Sequence, residues 1–208
     1  RVSAFHSAGL MLVGPVLRAL PDGPRLRLTD ADVPHRDFPA LTLDHDLVVA
    51  HRLAHDPAWP QDRVVTTPLL AEPLDVALAA DHPLSARDRL VAADLADERW
   101  VSVHDGFPLA GVVTHLAALA GRAPRIAHRV NDFATAAELV RADGAIAILP
   151  RVTARSLATD GLALRPIADA PLVRHVDALA RPDALASAAV RRVLAALVRA
   201  ARDAQPRG

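Results

Sequence analysis

The side chains best suited to chemistry in this sequence are ten histidines, with serines and aspartates scattered among them. His35, His45, His51 and His55 fall close together, and His51 and His55 have the i,i+4 spacing that sets two imidazoles on one face of a helix, as a metal site can require. Their surroundings argue against it. His51 follows an apolar run that reads as a strand, and Pro57 comes soon after, so no helix and no metal site are expected there. Cysteine is absent, which removes thiolate nucleophiles, disulfides and Cys-based zinc sites. All 24 basic residues are Arg, so Schiff-base chemistry and a phosphate-binding Walker lysine are excluded. Serine occurs in no Gly-x-Ser-x-Gly elbow, and no ordered glycine-rich phosphate loop is present. We expect no catalytic residues, no metal and no cofactor, with a small hydrolase or metal enzyme as the weaker alternative.

Binding chemistry is better supported. Three loops follow strand-like segments and lead into helix-like ones: Phe5, His6 and Ser7; His104, Asp105, Gly106 and Phe107, before Pro108; and Asn131, Asp132 and Phe133. Unpaired N–H groups and the helix dipole at such points favour small anions. Each loop also sets an aromatic ring beside a hydrogen-bonding group, suited to a small, partly apolar ligand. The plainer reading of Asn131 and Asp132 is a helix N-cap.

The elements that would carry these loops alternate. Strands are expected at 1–5, 25–29, 47–50, around 74–78, 99–103, 125–130 and 173–180. A helix over 8–20 should bury Leu10, Val13, Leu17 and Leu20, with Pro15 awkward inside it. A second, ended by Gly121, carries Val112, Val113, Leu116, Leu119 and Ala120 on its face. In 131–150 a short helix ends at Gly144, a plausible left-handed cap, and feeds an apolar run, 145–149, expected as a strand of a parallel sheet covered on both faces. Pro150 stops it; a helix to about Thr159 and LALRPI, a proline-marked loop, should follow. The last helix, 183–202, sets Leu185, Val190, Val193, Leu194, Leu197 and Ala201 in one stripe and Arg191, Arg192, Arg199 and Arg202 opposite, where a solvated face is the better reading than a nucleic-acid surface. His82, before Pro83, reads as a turn residue.

At 208 residues and 51% apolar composition the chain can bury a real core. Its 24 basic and 24 acidic residues cancel, so no global field draws in nucleic acid or an anionic membrane. No apolar run is long enough to span a bilayer. The chain opens at Arg1 with neither Met nor a signal peptide, and is expected to be a cytoplasmic fragment of a longer protein.

Residues 140–150, VRADGAIAILP, resemble the effector-binding domain of LysR-type transcriptional regulators, whose helix ends in Ala-Ala-Gly-x-Gly before Ile, an apolar run and Leu-Pro. Ala145 stands where the family has its second glycine. Leu12 to Leu17 fall where the family has Leu-Leu-Pro-x-Leu-Leu, residues 26–30 on its second strand, and Asp46 to Ala50 on the end of its Gly-x-Leu-Asp-Leu-Ala-Ile phrase. The family's helix before that phrase is shortened here to the Pro-, Asp- and His-rich 31–44. The passage 64–84, with EPLDVALAADHPL, is similar to the family's Glu-x-Leu-x-Leu-Ala-Leu-x-x-x-His-Pro-Leu.

The resemblance covers nearly the whole chain. It implies an α/β, bilobed type 2 periplasmic-binding-protein-like fold: lobe one from 1–71 and 173–208, lobe two from 72–172, two crossover strands, and an effector cleft between the lobes. Carried over position by position, the effector contacts become Phe5, His6 and Ser7; Thr29 and Asp30; His51 and Arg52; and Asn131 and Phe133, with His104 added from its loop. Arg52 would supply the fixed positive charge for a small carboxylate. Phe5 and His6 stand where the family often has Ser or Thr, so the ligand's identity is not carried over. The implied partners are a small-molecule effector, a second copy in a homodimer or higher oligomer, and DNA only through an N-terminal winged helix-turn-helix outside this chain. The runner-up is the solute-binding protein of a transporter, which shares the fold.

Overall fold

The computed structural model describes residues 1–107, 109–157 and 161–205, which form two compact units, Arg1–Ala71 with His175–Gly208, and Glu72–Arg174. Pro108 and the expected helix end at Thr159 lie outside the described residues.

In unit 1, β1 (Val2–Ala4) lies between β2 (Leu28–Asp30) and β3 (Leu47–Leu53), parallel to both. β9 (Val173–Ala180) and the first half of β4 (Val65–Ala79) continue the strand order. Helix α1 (His6–Ala19) joins β1 to β2 and packs on α4 (Ala188–Ala204). Its buried row is Ala8, Leu12 and Val16, with Ser7, and not the expected Leu10, Val13, Leu17 and Leu20; Leu10 is 67% exposed and Leu17 51%. The helix is apolar over most of its circumference, so periodicity alone could not choose the row, and the small Ala8 permits the closer approach. The buried face of α4 is Val193, Ala196, Leu197, Ala200 and Ala201, and the segment expected to begin it at 183 is a separate 3₁₀ turn, Ala184–Ala186. β2 lies three residues later than expected and is exposed throughout, as an edge strand can be. The shortened stretch before β3 is a 3₁₀ helix, His35–Leu43, which buries Phe38 completely.

In unit 2, β7 (Ile146–Pro150) pairs antiparallel with β4 and parallel with β5 (Arg99–Ser102), which pairs in parallel with β6 (Arg125–Arg129). The expected parallel setting of β7 is therefore mixed, although all five of its residues are buried as the apolar run requires. α3 (Phe133–Asp143) starts where Asp132 Oδ1 accepts from Thr135 N at 2.8 Å, and ends at Gly144, whose φ of 63° is left-handed. α2 (Ala110–Leu119) buries Val112, Val113, Leu116 and Ala117, leaving Leu119 53% exposed, contrary to expectation. LALRPI, expected as a loop, supplies β8 (Leu162–Arg165), antiparallel on β4. After Pro150 the chain makes turns and a single 3₁₀ turn, Arg155–Leu157, in place of the expected helix. Here the N–H groups of Val152 and Thr153 donate to the Glu72 carboxylate at 3.1 and 2.9 Å, which fixes the chain locally.

Glu72 also accepts from Arg174 Nε at 2.9 Å, and Arg174 Nη2 donates to Thr153 Oγ1 at 2.7 Å, with Glu72 and Arg174 no more than 1% exposed. A buried charge pair persists only when further hydrogen bonds occupy its remaining atoms, as the amides and hydroxyl of 152 and 153 do here. Nearby in sequence, Arg151 Nε and Nη2 both donate to Asp75, each at 2.6 Å, and this pairing raises the Arg151 pKa against the opposing effect of burial.

Candidate functional site

The parallel register of unit 1 decides which candidates meet. Ala4 lies level with Asp30 on one side and with Val49 on the other, so the chain leaving β1 as Phe5 and His6 runs beside Asp30 and His51. β1 feeds α1 and then β2 on one side, and the return passes β1 to reach β3 on the other. The carboxyl ends of strands at such a reversal are the usual ligand-binding edge of an open α/β sheet.

At this edge Phe5, Ser7 and His51 are buried, whereas His6, Thr29 and Asp30 are exposed. The Phe5 and His51 rings lie 4.5 Å apart, and Phe38 meets both, at 6.5 and 5.4 Å, edge-on. His6 Nδ1 stands 3.7 Å from Asp30 Oδ2, and His51 Nε2 3.7 Å from Asp32 Oδ1. Phe5 occupies the N-cap of α1 and offers no side-chain acceptor to its first turn, so the positive end of the helix is not neutralised by its cap. The result is an apolar floor, a helix N-terminus, and two imidazole–carboxylate pairs.

Arg52 has a partner within the protein. It points to Asp177, Nε donating to Oδ2 at 3.2 Å, and Asp177 also accepts from Trp59 Nε1 at 2.8 Å. The Asp177 side chain is only 3% exposed, so the guanidinium is held by a buried carboxylate and is not a bare cation aimed at Ser7. His51 lies within β3, not after it, and His55 lies in the following turn, so the two share no helix face. Among the described residues no group of three or more His, Asp or Glu is placed to hold a metal ion.

Unit 2 gathers His104, Asn131 and Phe133 around the start of α3. Asn131 Oδ1 accepts from the His104 N–H at 2.9 Å, and the Phe133 ring lies under the Arg174 guanidinium at 5.7 Å. Asp132 is the cap, as the plainer reading had it. A cavity against Phe133 measures only about 10 Å³, barely a water's worth.

Sequence reasoning missed Phe38, Asp32, Trp59 and Asp177. Phe38 had one signal, being the only aromatic residue in the polar 31–44 stretch. Asp32 and Asp177 had none, because their partners are distant in sequence or defined by a loop.

Residues 1–202 match the family model described as LysR substrate binding domain. The chain belongs to the LysR substrate-binding domain family. The small neutral protease regulatory protein of Streptomyces coelicolor is 36% identical over 131 residues, 61% of this chain and 39% of that protein. The chain thus spans well under half the length of the curated relatives it matches. Among solved structures, the effector-binding domain of QuiR in complex with shikimate superposes with a TM-score of 0.77 at 18% identity, covering 97% of this chain and 96% of that one. The regulatory domain of CcmR from Synechocystis PCC6803, in complex with 2-PG, has a TM-score of 0.77 at 17% identity, covering 98% and 97%. This LysR domain has the periplasmic-binding-protein-like α/β fold of those regulatory domains. No helix among its described residues is long and apolar enough to cross a membrane.

Proposed function

We propose that this LysR domain senses a small molecule at the strand-end edge of unit 1 and thereby controls DNA binding by a winged helix-turn-helix outside this chain. It works without catalysis. The observation that carries the reading is the meeting of Phe5, His6 and Ser7 with Thr29, Asp30 and His51 at the point where the strand order reverses. The N-terminus of α1 favours a carboxylate, and the packed rings of Phe5, Phe38 and His51 give the edge an apolar floor. Asp30 and Asp32 select further for hydroxyl or amine donors, so the effector is a small carboxylate that also carries such groups. The shikimate complex of QuiR supports a ligand of this size and kind for the fold. In unit 2 we assign His104, Asn131 and Phe133 to fixing the start of α3.

Binding favours whichever conformation of the domain holds the effector better, and that difference is what a regulator transmits. A homodimer is part of the reading: Leu10 and Leu17, one heptad apart on α1, and Leu119 on α2 are exposed apolar side chains of the sort that a partner copy covers.

Thermal-shift and calorimetric screening of hydroxylated carboxylates, with their amides and esters, tests the site. His6→Glu adds a carboxylate at the first turn of α1, which the helix dipole favours, but repels an anion there. A carboxylate that stabilises the native domain should lose tenfold or more in affinity to His6→Glu while the folded protein keeps its melting temperature. Equal binding by native and variant domains would refute the assignment.

A further inference from the structure

We propose that unit 1 carries a second site, apart from the strand-end edge, for a small carboxylate with a short apolar body. It is a cavity of about 370 Å³ lined by Arg52, Trp59, Gln61, Val64, Val65 and Thr66. That volume lies in the range of small-molecule sites, and corresponds to roughly a dozen water-sized groups at ~30 Å³ each.

The charge is supplied by Arg52. Among the described residues its one hydrogen-bonding partner is Asp177, which engages Nε and leaves both terminal Nη groups to other acceptors. Those two groups form the planar edge that matches a carboxylate bidentately. Asp177 grips Arg52 and Trp59 together from a buried position, so the cation and the indole that border the cavity are fixed before any ligand arrives. Such pre-organisation removes part of the ordering cost of binding. The apolar body of the ligand meets Trp59 and Val64, both buried, while Gln61 and Thr66 add an amide and a hydroxyl. The cavity lining contains no Asp or Glu, in contrast to the strand-end edge with Asp30 and Asp32. An ammonium would face Arg52 there, and a neutral analogue would leave the Nη groups without their best partner. The two sites share none of their ligand-facing residues, so either can bind without the other.

The sequence contains two tryptophans, of which Trp59 borders the cavity and Trp100 is buried in unit 2, so an NMR spectrum of the ¹⁵N-labelled domain reports each indole N–H separately. Trp59→Phe identifies the Trp59 signal. Butyrate should move that signal saturably, and butylammonium and butanol should not. Arg52→Lys, which keeps the charge beside Asp177 but lacks the planar edge, should weaken butyrate binding by tenfold or more. Gln61→Ala and Thr66→Val, at the accessible rim, should weaken it severalfold in a domain of native stability. Butylammonium or butanol shifting the signal as butyrate does would overturn the site, as would unsaturable shifts or an affinity unchanged in all three variants. So would a butyrate response that vanishes in His6→Glu, because the ligand would then reach only the strand-end edge.

Discussion

Replacing Arg174 by Met keeps an unbranched side chain in place but strips the buried Glu72 carboxylate of its cation. Glu72 would retain the amides of Val152 and Thr153 and the Thr153 hydroxyl, and would lose the guanidinium donors that balance its charge in a site that water does not reach. Removing one partner of such a pair typically costs about 3 to 5 kcal/mol. For a chain of this length that corresponds to a fall in Tm of roughly 6 to 20 °C. Glu72→Gln in the Arg174→Met background should restore part of the loss, because a neutral amide keeps an oxygen for the two backbone N–H groups without stranding a charge. The assay is urea and thermal unfolding of the native domain, both single variants and the double. A cost below about 1 kcal/mol for Arg174→Met would refute the pairing, as would two changes that simply add, since additive losses would mean that the two side chains do not act as a pair.

Acid should weaken a surface contact of unit 2. The Arg99 guanidinium, and then His128, hold the Asp143 carboxyl below its ordinary value of 3.8. A depressed carboxylate contributes stability that is present above its unfolded pKa and lost as pH falls through the folded one. The Tm gap between native and Asp143→Asn domains should therefore be widest above about pH 4 and close below it; a gap independent of pH would contradict this. Gly144→Ala forces a Cβ into a left-handed residue at φ 63° and should cost about 1 to 2 kcal/mol by chemical denaturation, although nothing crowds the position. Leu10→Arg with Leu17→Arg should turn a dimer into a 22 kDa monomer in light scattering without lowering the Tm, both side chains being exposed in the single chain. The domain alone should show no sequence-selective gel shift at moderate salt, because its 24 basic and 24 acidic residues cancel.

Much of this fold was legible because its signals are local. Gly144 announces a left-handed cap, the run from Ala145 to Leu149 announces a strand buried on both faces, and Val173 to Ala180 was placed to the residue. The errors arose where sequence offers several equivalent solutions. In α1 two apolar rows compete, and tertiary packing, not period, buries Ala8, Leu12 and Val16 in place of Leu10, Val13 and Leu17. Following Pro150, the amides of Val152 and Thr153 donate to Glu72, about eighty residues earlier, a partner that no local pattern can announce. The strand-end candidates could be named through the family resemblance, but their pairing with Asp32 and Phe38 depends on the register of β1, β2 and β3 and on the turn that buries Phe38.

Arg52 shows how a partner distant in sequence changes what a strand residue can offer. Strand-end transfer placed it among the effector contacts, and as the sole fixed cation there it would have dictated an anionic ligand. A buried Asp177 commits its Nε, and with it Trp59, to a different neighbourhood, so the charge balance at the strand ends is set by Asp30 and Asp32 against two imidazoles and the α1 dipole. A ligand with a carboxylate alone would meet the helix end favourably and the two aspartates unfavourably. One that also presents donors converts those aspartates from repulsive neighbours into acceptors, and the difference between paired and unpaired charged groups, about 1.5 to 3 kcal/mol for each contact, is a tenfold or greater discrimination. On the proposed reading the specificity of this edge resides in its acids more than in any cation, and a hydroxylated carboxylate should outcompete its deoxygenated analogue by that margin in calorimetric titration.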